Sequence, residues 1–74
     1  MPNDSESNLS IKLNGEPYAI GSQMRLVALV EGLKLRRGRI AVELNHAVVP
    51  KADWDAIVLH PGDQVEIVNF VGGG

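Results

Sequence analysis

The sequence predicts an α+β fold in which one mixed β-sheet packs one of its faces against a single main helix. Apolar and polar residues alternate with the period of a half-buried strand over 9–13, 40–44 and 64–70. Residues 22–33 instead show the apolar spacing of a helix, and turn-forming residues separate these segments. A chain of 74 residues that contains this set of elements is predicted to form one domain.

The first two strands are predicted to form a hairpin. Asn14 and Gly15 lie between residues 9–13 and 17–20, and both tolerate the positive φ that a tight two-residue turn requires. Pro17 begins the returning strand, and a missing N–H does least harm at a sheet edge. We therefore expect this strand to lie at the edge of the sheet.

The main helix is predicted from a stripe with i, i+3, i+4, i+7 spacing, which comprises Leu26, Leu29, Val30 and Leu33. Ser22 is the expected N-cap, because its hydroxyl can accept a hydrogen bond from an N–H of the first turn. Gly32 is expected at or near the end of the helix.

The second half of the chain is predicted to be mostly strand. In order, the expected elements are a strand at 40–44, a turn at 45–46, a strand at 47–49, a helical turn at 50–54, a short strand at 57–59, a turn at 61–63 and a strand at 64–70. Trp54 is expected to pack against the core. We expect the first and last strands to lie side by side and parallel, which is the β-grasp, or ubiquitin-like, architecture.

The alternation in the last strand predicts which side chains meet the helix. Val65 and Ile67 are expected to face it, whereas Val68 and Phe70 point to the open face of the sheet. An apolar patch on that face would be a site for a partner. The alternative is that a loop or the helical turn at Trp54 covers these side chains.

The predicted organisation is a disordered extension at 1–7, a folded domain at 8–70 and a flexible tail at 71–74. The extension is polar and acidic without the features of a secretory signal, which favours the cytoplasm. A formal net charge of −2 argues against binding to nucleic acid. No apolar run has the length of a membrane span, so no membrane partner is expected.

The side chains offer little catalytic chemistry. His46 and His60 lie in predicted turns without a ligand-spacing motif, so no metal site is expected. Asp53, Asp55 and Asp63 are expected to cap backbone N–H groups. The arginines of segment 36–39 could bind phosphate, but a solvated loop after a helix explains them as well.

The tail is the most informative feature. Val71 and three glycines follow an apolar strand directly, so the carboxylate of Gly74 is carried on a segment almost without side chains. ATP can activate such a carboxylate as an acyl-adenylate, and a sulfur or nitrogen nucleophile can displace AMP. Residues 71–74 reach about 13 Å when fully extended. Glycine at 72–73 would allow the tail to enter a narrow enzyme channel.

The chain resembles the ThiS-type sulfur carriers of thiamine biosynthesis. The similar segments are IKLNGE at 11–16, AVELN at 41–45, VVPKADW at 48–54 and PGDQVEIVNFVGGG at 61–74. The glycine ending is shared by ubiquitin-like proteins in general, whereas the segment from Asn45 to Trp54 points to thiamine. The resemblance covers roughly residues 9–74 and gives no role to the basic loop at 36–39.

The resemblance implies a carrier that is not an enzyme and holds no bound cofactor. A ubiquitin-activating-like adenylyltransferase would use ATP and Mg²⁺ to adenylate Gly74. A persulfide donor would supply sulfur to form a thiocarboxylate, and thiazole synthase would accept it. The tail would thread through Gly72 and Gly73, and Val68, Phe70 and Val71 would bind the partner.

Three alternatives remain open from the sequence. The small subunit of molybdopterin synthase is similar in fold and in its glycine thiocarboxylate, although the segment from Asn45 to Trp54 argues against it. A protein modifier would be joined to lysines by isopeptide bonds. An interaction module with an inert tail would keep its function after deletion of Gly73 and Gly74.

Overall fold

The computed structural model describes residues 9–70. The predicted extension at 1–7 and the tail at 71–74 lie outside the described residues. Within residues 9–70 there is no helix with the length and apolar character needed to cross a membrane.

The described chain forms one five-stranded sheet with one α-helix. The elements are β1 (Ser10–Leu13), β2 (Glu16–Ala19), α1 (Leu26–Gly32), a 3-10 turn (Arg37–Arg39), β3 (Ile40–Leu44), β4 (Ala47–Val49), a second 3-10 turn (Lys51–Asp53) and β5 (Gln64–Asn69). The strand order is β2-β1-β5-β3-β4. Strands β1 and β5 are parallel, and the other neighbours are antiparallel. The predicted β-grasp arrangement is confirmed.

Both hairpins turn through two residues with positive φ. These angles are 51° at Asn14 and 86° at Gly15 in the first hairpin, and 51° at Asn45 and 74° at His46 in the second. Such turns match the twist of the strands that they join. Strand β2 is an edge strand, and Pro17 lies opposite Lys12 of β1, as predicted.

The helix begins later than the sequence predicts, and the prediction of Ser22 as its N-cap is wrong. Arg25 is the N-cap residue and makes no capping bond through its side chain. Gln23 has a φ of 60°, which interrupts a helix, and the chain is extended again at Arg25. Gly32 is the last helical residue, as expected.

The reason for the late start is a pairing with a distant segment. Arg25 forms an isolated antiparallel bridge with Val58. The N–H of Leu26 donates to the carbonyl of Ile57 at 2.9 Å, and the N–H of Leu59 donates to the carbonyl of Met24 at 2.8 Å. The predicted strand at 57–59 is therefore wrong as a member of the sheet, because this segment pairs with the entrance of the helix.

The core lies between the helix and one face of the sheet. Leu26, Leu29 and Val30 of the helix are buried, and Val65 of β5 is buried in the same cluster. Trp54 is fully buried, and its indole N–H donates to the carbonyl of Val49 at 3.0 Å. The prediction that Trp54 packs against the core is confirmed.

Candidate functional site: the open sheet face and the end of the last strand

The face of the sheet that points away from the helix is defined by pairs of residues on neighbouring strands. Val68 of β5 lies opposite Ala41 of β3, and Glu66 lies opposite Glu43. Val48 of β4 lies opposite the same Glu43. Residues that are directly opposite project to the same side of a sheet, so these side chains share one face. We call this surface the open face.

Apolar side chains are exposed on and beside the open face. The exposed fractions are 68% for Val48, 53% for Val68 and 52% for Phe70. Within residues 9–70 these are the large hydrophobic residues that remain exposed. The alternative in which a loop or the Trp54 turn covers Val68 and Phe70 is therefore wrong. Their predicted role in binding a partner stays a prediction.

Two carboxylates occupy the middle of the open face. Glu43 and Glu66 are direct neighbours across β3 and β5, and Glu66 is exposed. No ion pair with a cation of residues 9–70 neutralises either of them. Like charges that face each other across a sheet are destabilising. The fold therefore tolerates a local cost at this position.

The described chain leaves the sheet beside the basic turn, by which we mean residues 36–39 with their three arginines. Asn69 is the last residue of β5 and lies opposite Ile40. The next residue, Phe70, still donates its N–H to the carbonyl of Arg39 at 2.7 Å. Phe70, the last described residue, is thus fixed against the basic turn.

One arginine of the basic turn also contacts the core. The guanidinium carbon of Arg37 lies 5.5 Å from the centroid of the Trp54 ring. A cation over the face of an indole is attracted to its π-electrons. The side chains of Arg36 and Arg39 are exposed. Segment 36–39 is therefore held on the core through Arg37.

Two asparagines fix β5, although the sequence pattern predicts them only as turn residues. Asn14 accepts a hydrogen bond from the N–H of Ile67 at 2.8 Å through Oδ1. Asn45 accepts one from the N–H of Gln64 at 2.9 Å and donates to Asp63 at 3.1 Å. The recurrence of Asn at the first position of both turns was the available signal. The long-range partners of these two asparagines could not be inferred from the local pattern.

The remaining candidates for chemistry stay apart. His46 and His60 are exposed in turns, and Nδ1 of His60 lies 4.0 Å from a carboxylate oxygen of Asp63. Asp63 caps the N–H of His60 at 2.8 Å, which confirms the capping prediction for this residue. Asp53 makes no such bond at its 3-10 turn. In the part of the chain that the structure describes, no three metal-ligating side chains come together.

The predicted tail residues, Val71 through Gly74, lie outside the described residues. The structure therefore brings together only the two described members of the predicted site, Val68 and Phe70, at the end of β5. It adds the basic turn as their neighbour.

A family model and a solved structure both match this chain over most of its length. A model of the ThiS family matches residues 11–74. The crystal structure of the thiamine biosynthesis protein ThiS from Geobacter metallireducens superimposes with a TM-score of 0.75 at 32% identity, and the match covers 88% of this chain and 99% of that one.

Sequence relatives include a domain of a larger protein. A thiazole synthase from Magnetococcus marinus is 42% identical over 66 residues, which are 89% of this chain and 20% of that protein. The chain thus spans about a fifth of that relative's length. The uncharacterized protein ycf40 of Pyropia yezoensis is 37% identical over 68 residues, with 92% of this chain and 96% of the relative covered.

Proposed function

The chain belongs to the ThiS family, and from that premise we propose that it carries sulfur for the biosynthesis of the thiazole part of thiamine. The family match and the solved ThiS neighbour support a sulfur-carrier role in thiamine biosynthesis. In this role the protein is a co-substrate of other enzymes and not itself a catalyst.

The proposed chemistry takes place at the carboxylate of Gly74. A carboxylate oxygen attacks the α-phosphorus of ATP in a ubiquitin-activating-like adenylyltransferase, and pyrophosphate leaves with Mg²⁺. The terminal sulfur of a persulfide donor then attacks the acyl carbon and displaces AMP. A second thiol reduces the resulting acyl disulfide, which leaves a thiocarboxylate on Gly74 and a disulfide on the donor. The thiocarboxylate is a soft nucleophile that holds sulfur covalently until it is used.

The observation that carries the proposal is the exposure of Val68 and Phe70 at the end of β5, directly before the glycine tail. Ordering a flexible residue costs about 1–2 kcal/mol, so four tail residues cannot supply much affinity. The folded domain must therefore bind the enzyme as well. Exposed apolar side chains at the point where the tail begins are well placed to do so.

The proposed acceptor of the sulfur is thiazole synthase. The support is the Magnetococcus marinus relative, in which a segment similar to this chain belongs to a protein named thiazole synthase. Two functions that are joined in one polypeptide commonly act on each other. We propose that this domain meets the same function when it delivers its sulfur.

The test is an intact-mass measurement of the purified protein. The protein is incubated with ATP, Mg²⁺, a sulfide source and a thiamine-type adenylyltransferase. We expect a mass increase equal to the exchange of one oxygen for sulfur, located on Gly74 by fragmentation. A variant that lacks Gly73 and Gly74 is the control and should remain unchanged.

Each other outcome has a defined meaning. A mass change with a molybdopterin-type activating enzyme alone would show that the chemistry is right and the pathway is wrong. Isopeptide attachment to lysines would identify a protein modifier. An unchanged mass with both enzymes, for folded protein with an intact end, would overturn the carrier proposal. If the thiocarboxylate forms, transfer of its labelled sulfur to the thiazole product tests whether thiazole synthase is the acceptor.

A further inference from the structure

We propose that the basic turn is a second docking element for the adenylyltransferase. It contacts acidic side chains of that enzyme at the mouth of the channel that receives the tail. The partner surface is thus a protein rim rich in aspartate and glutamate. This inference rests on the proposed function, because it takes the entry of the tail into an enzyme as its premise.

The first support is the position of the basic turn. The bond of 2.7 Å from the Phe70 N–H to the Arg39 carbonyl joins the turn to the residue that precedes the tail in the sequence. The pairing of Asn69 with Ile40 continues this contact into the sheet. The basic turn is therefore hydrogen-bonded next to Phe70, and an enzyme that takes up the residues after Phe70 must come close to the arginines.

The second support is the distribution of charge. Residues 9–70 contain seven acidic and seven basic side chains. Four of the seven cations lie within 34–39, and none of the acids does. In the part of the chain that the structure describes, no carboxylate forms an ion pair with these arginines. The described domain consequently presents a concentrated positive surface beside Phe70 and an excess of acidic residues elsewhere, and such a positive surface attracts an acidic partner.

The arginines divide into two roles. Arg37 lies over the buried Trp54 ring at 5.5 Å, so it holds the turn on the core. All three arginines are exposed, but Arg36 and Arg39 make no ion pair or ring contact within residues 9–70. These two residues are available to a partner.

The length of the tail indicates what the arginines meet. Residues 71–74 reach about 13 Å beyond Phe70 when extended. The activated carboxylate and its phosphate then lie deep in the enzyme, whereas the basic turn remains at the level of Phe70. The arginines therefore face the protein surface around the channel and do not contact the nucleotide.

The experiment compares charge reversals in adenylation kinetics with a thiamine-type adenylyltransferase. Arg36→Glu and Arg39→Glu are measured beside the control Lys12→Glu, which makes the same change in net charge. Lys12 is exposed and lies opposite Gln64, at the far end of β5 from Phe70. Trp54 fluorescence and thermal melting establish that each variant is folded.

We expect both arginine variants to raise the KM for the carrier about tenfold at low salt and to leave kcat nearly unchanged. The increase should shrink at about 0.5 M salt, because charges on a surface are screened. Arg36→Lys should restore the KM, and Lys12→Glu should change it by less than about twofold.

Three outcomes would overturn the inference. These are an equal KM increase in Lys12→Glu, an altered KM for ATP in place of the KM for the carrier, and an unchanged KM in both arginine variants. All three presuppose that the wild-type protein is adenylated. Failure of the wild-type protein itself would instead contradict the proposed function, so the two failures are distinguishable.

Discussion

Asn14 accepts a hydrogen bond from the backbone N–H of Ile67 at 2.8 Å, which joins the first hairpin turn to the last strand across 53 residues of sequence. Strands β1 and β5 pair directly only at Lys12–Gln64 and Leu13–Val65. Strand β1 ends at Leu13. The side-chain oxygen of Asn14 therefore accepts the hydrogen bond that a backbone carbonyl would accept if β1 continued along β5. The strand that leads to the tail is thereby held to the centre of the sheet.

The first prediction concerns this hydrogen bond. Asn14→Gly keeps the turn, which needs a φ of 51° at this position, but removes the acceptor. We expect its free energy of unfolding to fall by about 1 kcal/mol. Asn14→Ala loses the acceptor and also strains the positive φ, so its loss should be about 2 kcal/mol. Urea unfolding followed by Trp54 fluorescence measures both.

Asn14→Asp is the control, because a carboxylate also accepts a hydrogen bond and aspartate tolerates positive φ. It should retain most of the wild-type stability. Equal stability of the Gly variant and the wild type would show that the bond to Ile67 contributes nothing.

The second prediction concerns Arg37 and Trp54. Arg37→Ala removes the cation 5.5 Å from the indole centroid and uncovers part of a fully buried ring. We expect the free energy of unfolding to fall by about 1 kcal/mol. The native fluorescence of the one tryptophan should shift to longer wavelength. Arg36→Ala is the matched control and should leave both quantities unchanged, since Arg36 is exposed like Arg37 but does not lie over the Trp54 ring. Identical behaviour of the two variants would contradict the contact.

The third prediction concerns the opposed carboxylates. Glu66→Gln removes one of two like charges that face each other across β3 and β5. We expect the protein to gain about 0.5 kcal/mol of stability at low salt. The gain should diminish at high salt, because the repulsion is screened. Glu16→Gln is the control, since Glu16 lies opposite Leu13 and faces no carboxylate. A similar gain in the control would show that the effect is one of net charge.

The fold could be predicted because most of its determinants are local. Both hairpins depend on two turn residues that tolerate positive φ, and the alternation in β5 specifies which side chains are buried. Val65 is buried and Val68 is exposed, as that alternation predicts.

The errors arise where a distant segment changes local structure. Ser22 has the chemistry of an N-cap, and residues 57–59 have the composition of a strand. The bridge between Arg25 and Val58 alters both, because it delays the helix and draws the second segment out of the sheet. Neither segment contains information about the other in its own pattern.

Only the part of the candidate site that depends on local pattern could be predicted from the sequence. Exposure of Val68 and Phe70 follows from strand periodicity, which is local. The contact between Arg39 and Phe70 depends on how β3 pairs with β5, and this register becomes visible only in three dimensions.

The last prediction separates binding from stability at Phe70. Phe70→Ala removes a side chain that is 52% exposed, so the free energy of unfolding should fall by no more than about 1 kcal/mol. Its dissociation constant for the adenylyltransferase, measured by calorimetry, should rise about tenfold or more, as expected for an aromatic anchor of an interface.

Val65→Ala is the core control and should lose about 2 kcal/mol of stability. Val48→Ala is the surface control, because Val48 is 68% exposed but lies on β4, two strands from β5. A stability loss in Phe70→Ala that equals the loss in Val65→Ala would place Phe70 in the core. Binding that is weakened equally by Val48→Ala would mean that the partner contacts the whole open face and not its end beside the tail.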